Sequence, residues 1–158
     1  MSESPTSSSS TSGTVFSVQR LVRFSDCDPA GMVFYPQYFV MLNGLVEDWF
    51  TQGLGVNYAH LLGQRRIGLP MVSLQADFKA PSRMGDTIAL QLQLVRKGRR
   101  SLTLQVRCTG TDNENDTVRW TAQAVIVTTS LARDGAIDIP QDVHEGVARW
   151  QMLSGETP

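Results

Sequence analysis

The run Pro36-Gln37-Tyr38-Phe39-Val40-Met41-Leu42-Asn43-Gly44-Leu45-Val46-Glu47-Asp48-Trp49-Phe50 decides the architecture. Phe39, Leu42, Leu45, Val46, Trp49 and Phe50 recur at helical spacing. Val40 and Met41 widen the apolar surface beyond one stripe. A helix apolar on several sides is wrapped by other elements rather than laid on one of them. Pro36 suits the first helical position, where its fixed φ matches a helix start. Gly53 and Gly55 mark the end.

On either side the period changes to two. Upstream, Phe16, Val18, Arg20, Val22 and Phe24 alternate with mostly polar residues, which predicts a half-buried strand with one charged exception. Downstream, Val72, Leu74, Ala76 and Phe78 form one such face, then Ile88, Leu90, Leu92 and Leu94. Leu102, Leu104, Val106 and Cys108 follow, and then Trp120, Ala122, Ala124 and Ile126. Turns are expected at Arg83–Asp86, Lys97–Arg100 and Thr111–Asp116, which makes the last four strands read as an antiparallel meander. Val56–Ile67 reads as a short helical turn and a polar loop. Gln141–Leu153 carries Val143, Val147 and Trp150 as a weak amphipathic helix.

Strand, long helix, then four strands leaves one long helix to cover every apolar strand face. The expectation is an α+β hotdog fold: a five-stranded antiparallel sheet wrapped around one long central helix. Such a sheet has an open edge, so side-by-side pairing of two copies is expected. Residues 1–14, MSESPTSSSSTSGT, read as a disordered Ser/Thr-rich tail with neither the basic nor the apolar stretch of a secretory signal. Residues 15–153 then form a single domain.

Composition narrows the function classes. Hydrophobic residues make up 41% and charged residues 18%, and the net charge is −1, which offers no footprint for nucleic acid. No apolar run approaches the roughly 18 residues that a membrane span needs. Cys27 and Cys108 make neither a disulfide framework nor a C-x-x-C zinc motif, so a reducing cytoplasm is the expected compartment.

The loop Ser25-Asp26-Cys27-Asp28-Pro29-Ala30-Gly31-Met32-Val33-Phe34-Tyr35 places two carboxylates in a Pro/Gly turn just before the helix. Three readings of them are open. One aspartate can cap the local turn, or the pair can be a D-x-D metal site. Alternatively, Asp28 attacks an acyl carbon, or deprotonates a water that does so. The backbone N–H groups near Tyr35 then receive the developing oxyanion. Cys27 is a weaker candidate nucleophile with no base partner. His60 and His144 are remote from the loop in sequence, and no G-x-S-x-G or phosphate-cradling motif is present.

A second candidate is Arg96-Lys97-Gly98-Arg99-Arg100-Ser101, a cationic turn between two strands. It is either a solvated hairpin or a grip on the phosphates of a nucleotide-bearing substrate. Phe34 breaks the helical period and is a candidate wall of an acyl pocket.

As a word, Asp26-Cys27-Asp28-Pro29-Ala30-Gly31, an apolar pair, an aromatic, then Tyr35-Pro36-x-Tyr38 closely resembles the 4-hydroxybenzoyl-CoA thioesterase family of hotdog enzymes. The resemblance runs on through Gly68-Leu69-Pro70-Met71-Val72-Ser73 and Arg99-Arg100-Ser101. It implies an acyl-CoA thioesterase with Asp28 as catalytic carboxylate and the Tyr35 N–H as oxyanion donor. Arg99 and Arg100 would meet the CoA phosphates, with Ser73 and Ser101 among the substrate-binding residues. It further implies no metal, no organic cofactor, and homodimers that assemble into homotetramers with each site built across a dimer interface. Three positions depart from the 4-hydroxybenzoyl enzyme: Asn43 stands for an acid, Leu69 for a hydroxyl residue and Phe34 for Trp. The expected substrate is therefore an aromatic or a short- to medium-chain acyl-CoA. The rivals are a non-catalytic acyl-CoA-binding hotdog protein and a hotdog hydratase or dehydratase, which would want a His beside its carboxylate.

Overall fold

In the computed structural model, which describes residues 13–111 and 117–153, the apolar run forms helix α1 (Tyr35–Asp48). It begins one residue before Pro36 and continues through a wide turn over Trp49–Gly53. Leu42, Leu45, Trp49 and Phe50 are completely buried. Truncating any one of them would cost roughly 2–5 kcal/mol. Strands β1 (Phe16–Leu21), β3 (Met71–Phe78), β4 (Thr87–Lys97), β5 (Ser101–Gly110) and β6 (Val118–Val127) wrap this helix as one antiparallel sheet. Their inward residues, among them Ile88, Leu92, Leu104, Val106 and Trp120, join α1 in one core. Helix α2 (Tyr58–Gly63) and a small pair, β2 (Ile67–Gly68) with β7 (Thr129–Ser130), lie beside the sheet. Helix α3 (Gln141–Met152) adds Val143, Val147 and Trp150 to the core.

The strand order is β1-β4-β5-β6-β3, which corrects the expected four-strand meander. β4, β5 and β6 do run as neighbours, but β3 pairs with β6 at the far edge. Three strand spacings of about 4.8 Å separate β3 from β4 by about 14 Å across the sheet. The connection over residues 79–86 can extend to about 26 Å, long enough to cross from the β3 edge over β6 and β5 to β4, beneath the helix start. Sequence spacing alone cannot distinguish such a crossing from a hairpin.

Two further expectations fail locally. The β3–β6 register slips between Met71 and Ser73, so Met71 faces the core and Val72 is exposed. Phe24 lies in a 3-10 turn (Phe24–Asp26) after β1 and is also exposed. Residues 1–12 of the expected tail, and residues 112–116 of the expected turn, lie outside the described residues.

Candidate functional site

Between β1 and α1 the chain is held almost wholly by its own backbone. The Asp26 carboxylate accepts the Arg23 N–H at 2.8 Å, closing the 3-10 turn. The Asp28 carboxylate accepts the Ala30 N–H at 2.9 Å. The Gly31 N–H reaches the Asp28 carbonyl at 2.9 Å, and the Asp28 N–H reaches the Met32 carbonyl at 3.0 Å. Gly31 adopts φ +77°, a conformation that side chains rarely tolerate. Both aspartates thus perform turn chemistry, but Asp28 is only half-buried and forms no ion pair among the described residues.

The same loop delivers the helix start. The Val33 N–H donates to the Ser82 carbonyl at 2.9 Å, and the Phe34 N–H to the Asp26 carbonyl at 3.0 Å. The next N–H, at Tyr35, is the first of the helix and has no acceptor among the described residues. Pro36 has no N–H. The Tyr35 N–H thereby stands as a donor at the positive end of a 14-residue helix, seven residues from Asp28.

Beside this donor lies an open groove of about 420 Å³ lined by Met32, Val33, Tyr35, Tyr38, Phe78 and Pro81, among others. The Tyr35 ring sits 5.5 Å from Phe34 and 6.1 Å from Phe78, centroid to centroid. Phe34, Tyr35 and Phe78 are each about half exposed, an unusual concentration of bare aromatic surface. Cys27 does not gain a nucleophile's character here. Desolvation and the nearby Asp26, Asp28 and Asp86 carboxylates push its thiol above the ordinary range.

The remaining expected residues lie elsewhere. Pairing of Leu21 with Thr87 puts the Asp28 loop at one end of the sheet, and Phe78 reaches the same end through Trp120, Cys108 and Leu90. The Lys97–Arg100 turn lies at the other end, about 30 Å away along β4. Leu69, half-buried against the core, Ser73 on β3 and Ser101 at the start of β5 share that far end. Asn43 stands apart on the solvent side of α1. Its Nδ2 donates to the Glu47 Oε1 at 2.9 Å, beside a second cleft between α1 and β1.

The cationic turn supplies its own anion. Arg99 Nε donates to both Asp138 oxygens at 3.0 Å, and Arg100 Nε to one of them at 2.9 Å. Hydrogen bonds from Arg100, then Arg99, hold the Asp138 carboxyl below the usual carboxylate range. Asp138 lies too far along the chain for sequence spacing to reveal. Phe78 and the Ser82 carbonyl were equally invisible as site residues, because their places depend on the crossing connection. Among the described residues no cluster of His, Cys, Asp and Glu could hold a metal ion, and no helix is long and apolar enough to cross a membrane.

The same architecture recurs in proteins of known structure. The chain superposes on the 4-hydroxybenzoyl-CoA thioesterase of Pseudomonas sp. strain CBS-3 with a TM-score of 0.75 and 26% identity, covering 84% of this chain and 99% of that one. In sequence, that enzyme is 26% identical over 133 residues, covering 81% of this chain and 94% of its own length. A 1,4-dihydroxy-2-naphthoyl-CoA hydrolase of Prochlorococcus marinus (strain MIT 9313) is 29% identical over 154 residues, covering 87% and 90%. The family model of the Thioesterase-like superfamily matches residues 22–147, most of the chain. With its hotdog sheet and helix, the chain belongs to the Thioesterase-like superfamily and is a thioester hydrolase.

Proposed function

We propose that this enzyme hydrolyses an aromatic acyl-CoA to the free acid and CoA, using Asp28 and the Tyr35 N–H. The observation that carries the reading is the pairing of a half-buried carboxylate, free of any ion pair among the described residues, with an unpartnered helix N–H on one clamped loop, beside an aromatic groove. The relatives named above act on aromatic CoA esters, and the bare rings of Phe34, Tyr35 and Phe78 suit an aryl group.

The thioester carbonyl oxygen lies against the Tyr35 N–H. The Asp28 carboxylate either attacks the acyl carbon, giving an anhydride that water then opens, or takes a proton from the water that attacks. In both routes the carbonyl oxygen becomes negative as the new C–O bond forms, and the N–H stabilises it. The C–S bond breaks, and CoA leaves as thiolate and takes up a proton. Water and Asp28 suffice, so the reading calls for no metal and no organic cofactor.

The Arg99–Arg100 turn serves a neighbouring subunit. A two-fold axis pairing β3 edge to edge sets the Phe78 end of one strand against the Met71 end of its mate. One copy's Asp28 and Tyr35 are then brought toward the other's Leu69, Ser73, Arg99, Arg100 and Ser101. What supports this homodimer is the roughly 30 Å separation of the two groups within one chain together with the open β3 edge. Asp138 stands where the CoA phosphates would be gripped. Two such dimers form the homotetramer, and the free thiols of Cys27 and Cys108 fit a cytoplasmic setting.

The test is thiol release from a panel of aryl- and alkyl-CoA esters. Asp28→Asn should lose turnover by at least about 100-fold and still bind a non-hydrolysable CoA thioether as wild type does. Mixed with Arg99→Ala/Arg100→Ala protein and allowed to exchange subunits, it should recover about a quarter of the wild-type sites, since each mixed dimer carries one intact site. Near-normal turnover by Asp28→Asn refutes the mechanism, and no recovery on mixing refutes the shared site. Thioether binding without turnover by the wild type would mark a binding protein instead.

A further inference from the structure

Beneath the groove, two hydroxyls are buried with their hydrogen-bonding capacity uncommitted. Tyr38 is 4% exposed and Ser82 is 0% exposed. Neither the Tyr38 Oη nor the Ser82 Oγ has a partner of good hydrogen-bond geometry among the described residues. A buried polar group left in this way is costly, so it asks for a reason. The two groups are neighbours. Tyr38 lines the groove beside Ala80 and Pro81, with its ring against Phe78 and Trp120 at 6.1 and 5.4 Å. The Ser82 hydroxyl and backbone N–H both bear on the Tyr38 phenol. Burial outweighs them and pushes the phenol above its ordinary value, so it remains a protonated donor at neutral pH.

Ser82 belongs to the crossing connection, which is pinned independently. The Lys79 and Ala80 N–H groups donate to the Arg119 carbonyl at 2.8 and 3.1 Å, and the Arg119 guanidinium donates back to the Pro81 carbonyl. From this platform the Ser82 carbonyl takes the Val33 N–H, two residues before the free donor of Tyr35. Tyr38 stands one helical turn after Tyr35. Residue 82 thus touches the catalytic loop through its backbone and the first turn of α1 through its side chain.

We infer that Tyr38 and Ser82 are a buried positioning pair, joining the crossing connection to the first turn of α1 and so setting the angle of the Tyr35 N–H toward the substrate carbonyl. The inference rests on the assignment of Asp28 and Tyr35 made above. Neither hydroxyl contacts substrate, because both oxygen atoms are sealed from solvent. Their effect falls on the chemical step, where small errors in placement are expensive, and leaves CoA binding alone.

The test uses the full-length oligomer and the variants Tyr38→Phe, Ser82→Ala and their double, with Asp28→Asn alongside. Measured are kcat and KM for an aryl-CoA, the Kd of a non-hydrolysable CoA thioether, and the thermal midpoint. Each single variant should lower kcat roughly tenfold, with KM and Kd within about twofold. The double should be no slower than the slower single, because both act through one link. Wild-type kcat in folded single variants beside an inactive Asp28→Asn would overturn the pair while leaving the active site standing. Losses that multiply in the double would overturn it too. An active Asp28→Asn would remove the site assignment beneath it and the inference with it.

Discussion

Tyr35→Pro deletes one backbone N–H and one aromatic ring from the start of α1. In the wild type that N–H has no acceptor among the described residues, so its loss breaks no internal hydrogen bond. Proline is well tolerated in the first turn of a helix. The preceding residue, Phe34, already sits at φ −69°, ψ 122°, the extended conformation that a following proline requires. The expected change in folding stability is under about 1 kcal/mol. The expected catalytic loss is far larger, about 2.7–4 kcal/mol or 100- to 1000-fold in kcat, the usual penalty for removing one oxyanion donor. The ring contacts of Tyr35 with Phe34, Phe39 and Phe78 are lost as well, so Tyr35→Ala is the reference. It lacks the ring and keeps the N–H. Stopped-flow or plate-based thiol detection, at saturating aryl-CoA and matched folded concentration, gives both rates. If Tyr35→Pro turns over within threefold of Tyr35→Ala while its thermal midpoint is unchanged, the oxyanion reasoning is wrong.

Two further outcomes follow from the charged contacts. Arg99→Ala with Arg100→Ala should raise KM, and more so at low ionic strength, where screening is weakest. Asp138→Asn should lower KM two- to fivefold, a modest gain because the ion pairs it breaks are exposed. A KM insensitive to both changes at every salt concentration would take this turn out of the substrate site. Elsewhere, Arg65 grips Asp142 with contacts of 2.6 and 3.0 Å and holds its carboxyl below the usual range. A depressed folded value stabilises above the unfolded value and is lost as pH falls through the folded one. Asp142→Asn should therefore lower Tm by about 1–3 °C at neutral pH, with the gap closing below about pH 4 in thermal scans. A gap that persists at pH 2 would refute the linkage.

The helix and the strands were legible because their apolar periods are strong. Phe39 to Phe50 reads only as a wrapped helix, and Leu102 to Cys108 only as a strand with one buried face. Adjacency was not legible at β3, since an eight-residue connection serves a hairpin or a crossing equally well. The slip at Val72 was hidden for a related reason. A bulge changes which residue faces inward without altering composition. At the site, Asp28 and the helix start could be read together, being seven residues apart. Asp138, Phe78 and Ser82 could not, because each reaches its partner only after the sheet has closed around the helix.

The loop before α1 is wired through main-chain atoms. Asp26, Asp28, Met32 and Ser82 offer carbonyls, and Asp28, Gly31, Val33 and Phe34 offer N–H groups. Wiring of this kind is indifferent to most side chains it carries. Met32 and Phe34 can therefore drift in size and polarity, redrawing the proposed acyl pocket, while Asp28 and the Tyr35 N–H keep their places. On the proposed mechanism, new substrates would be reachable by single steps that keep the catalyst active. The positions denied that freedom are Asp26 and Asp28, whose carboxylates take the Arg23 and Ala30 N–H groups, and Gly31, for its backbone. A library randomised at residues 32 and 34 would sample specificity across a working catalyst.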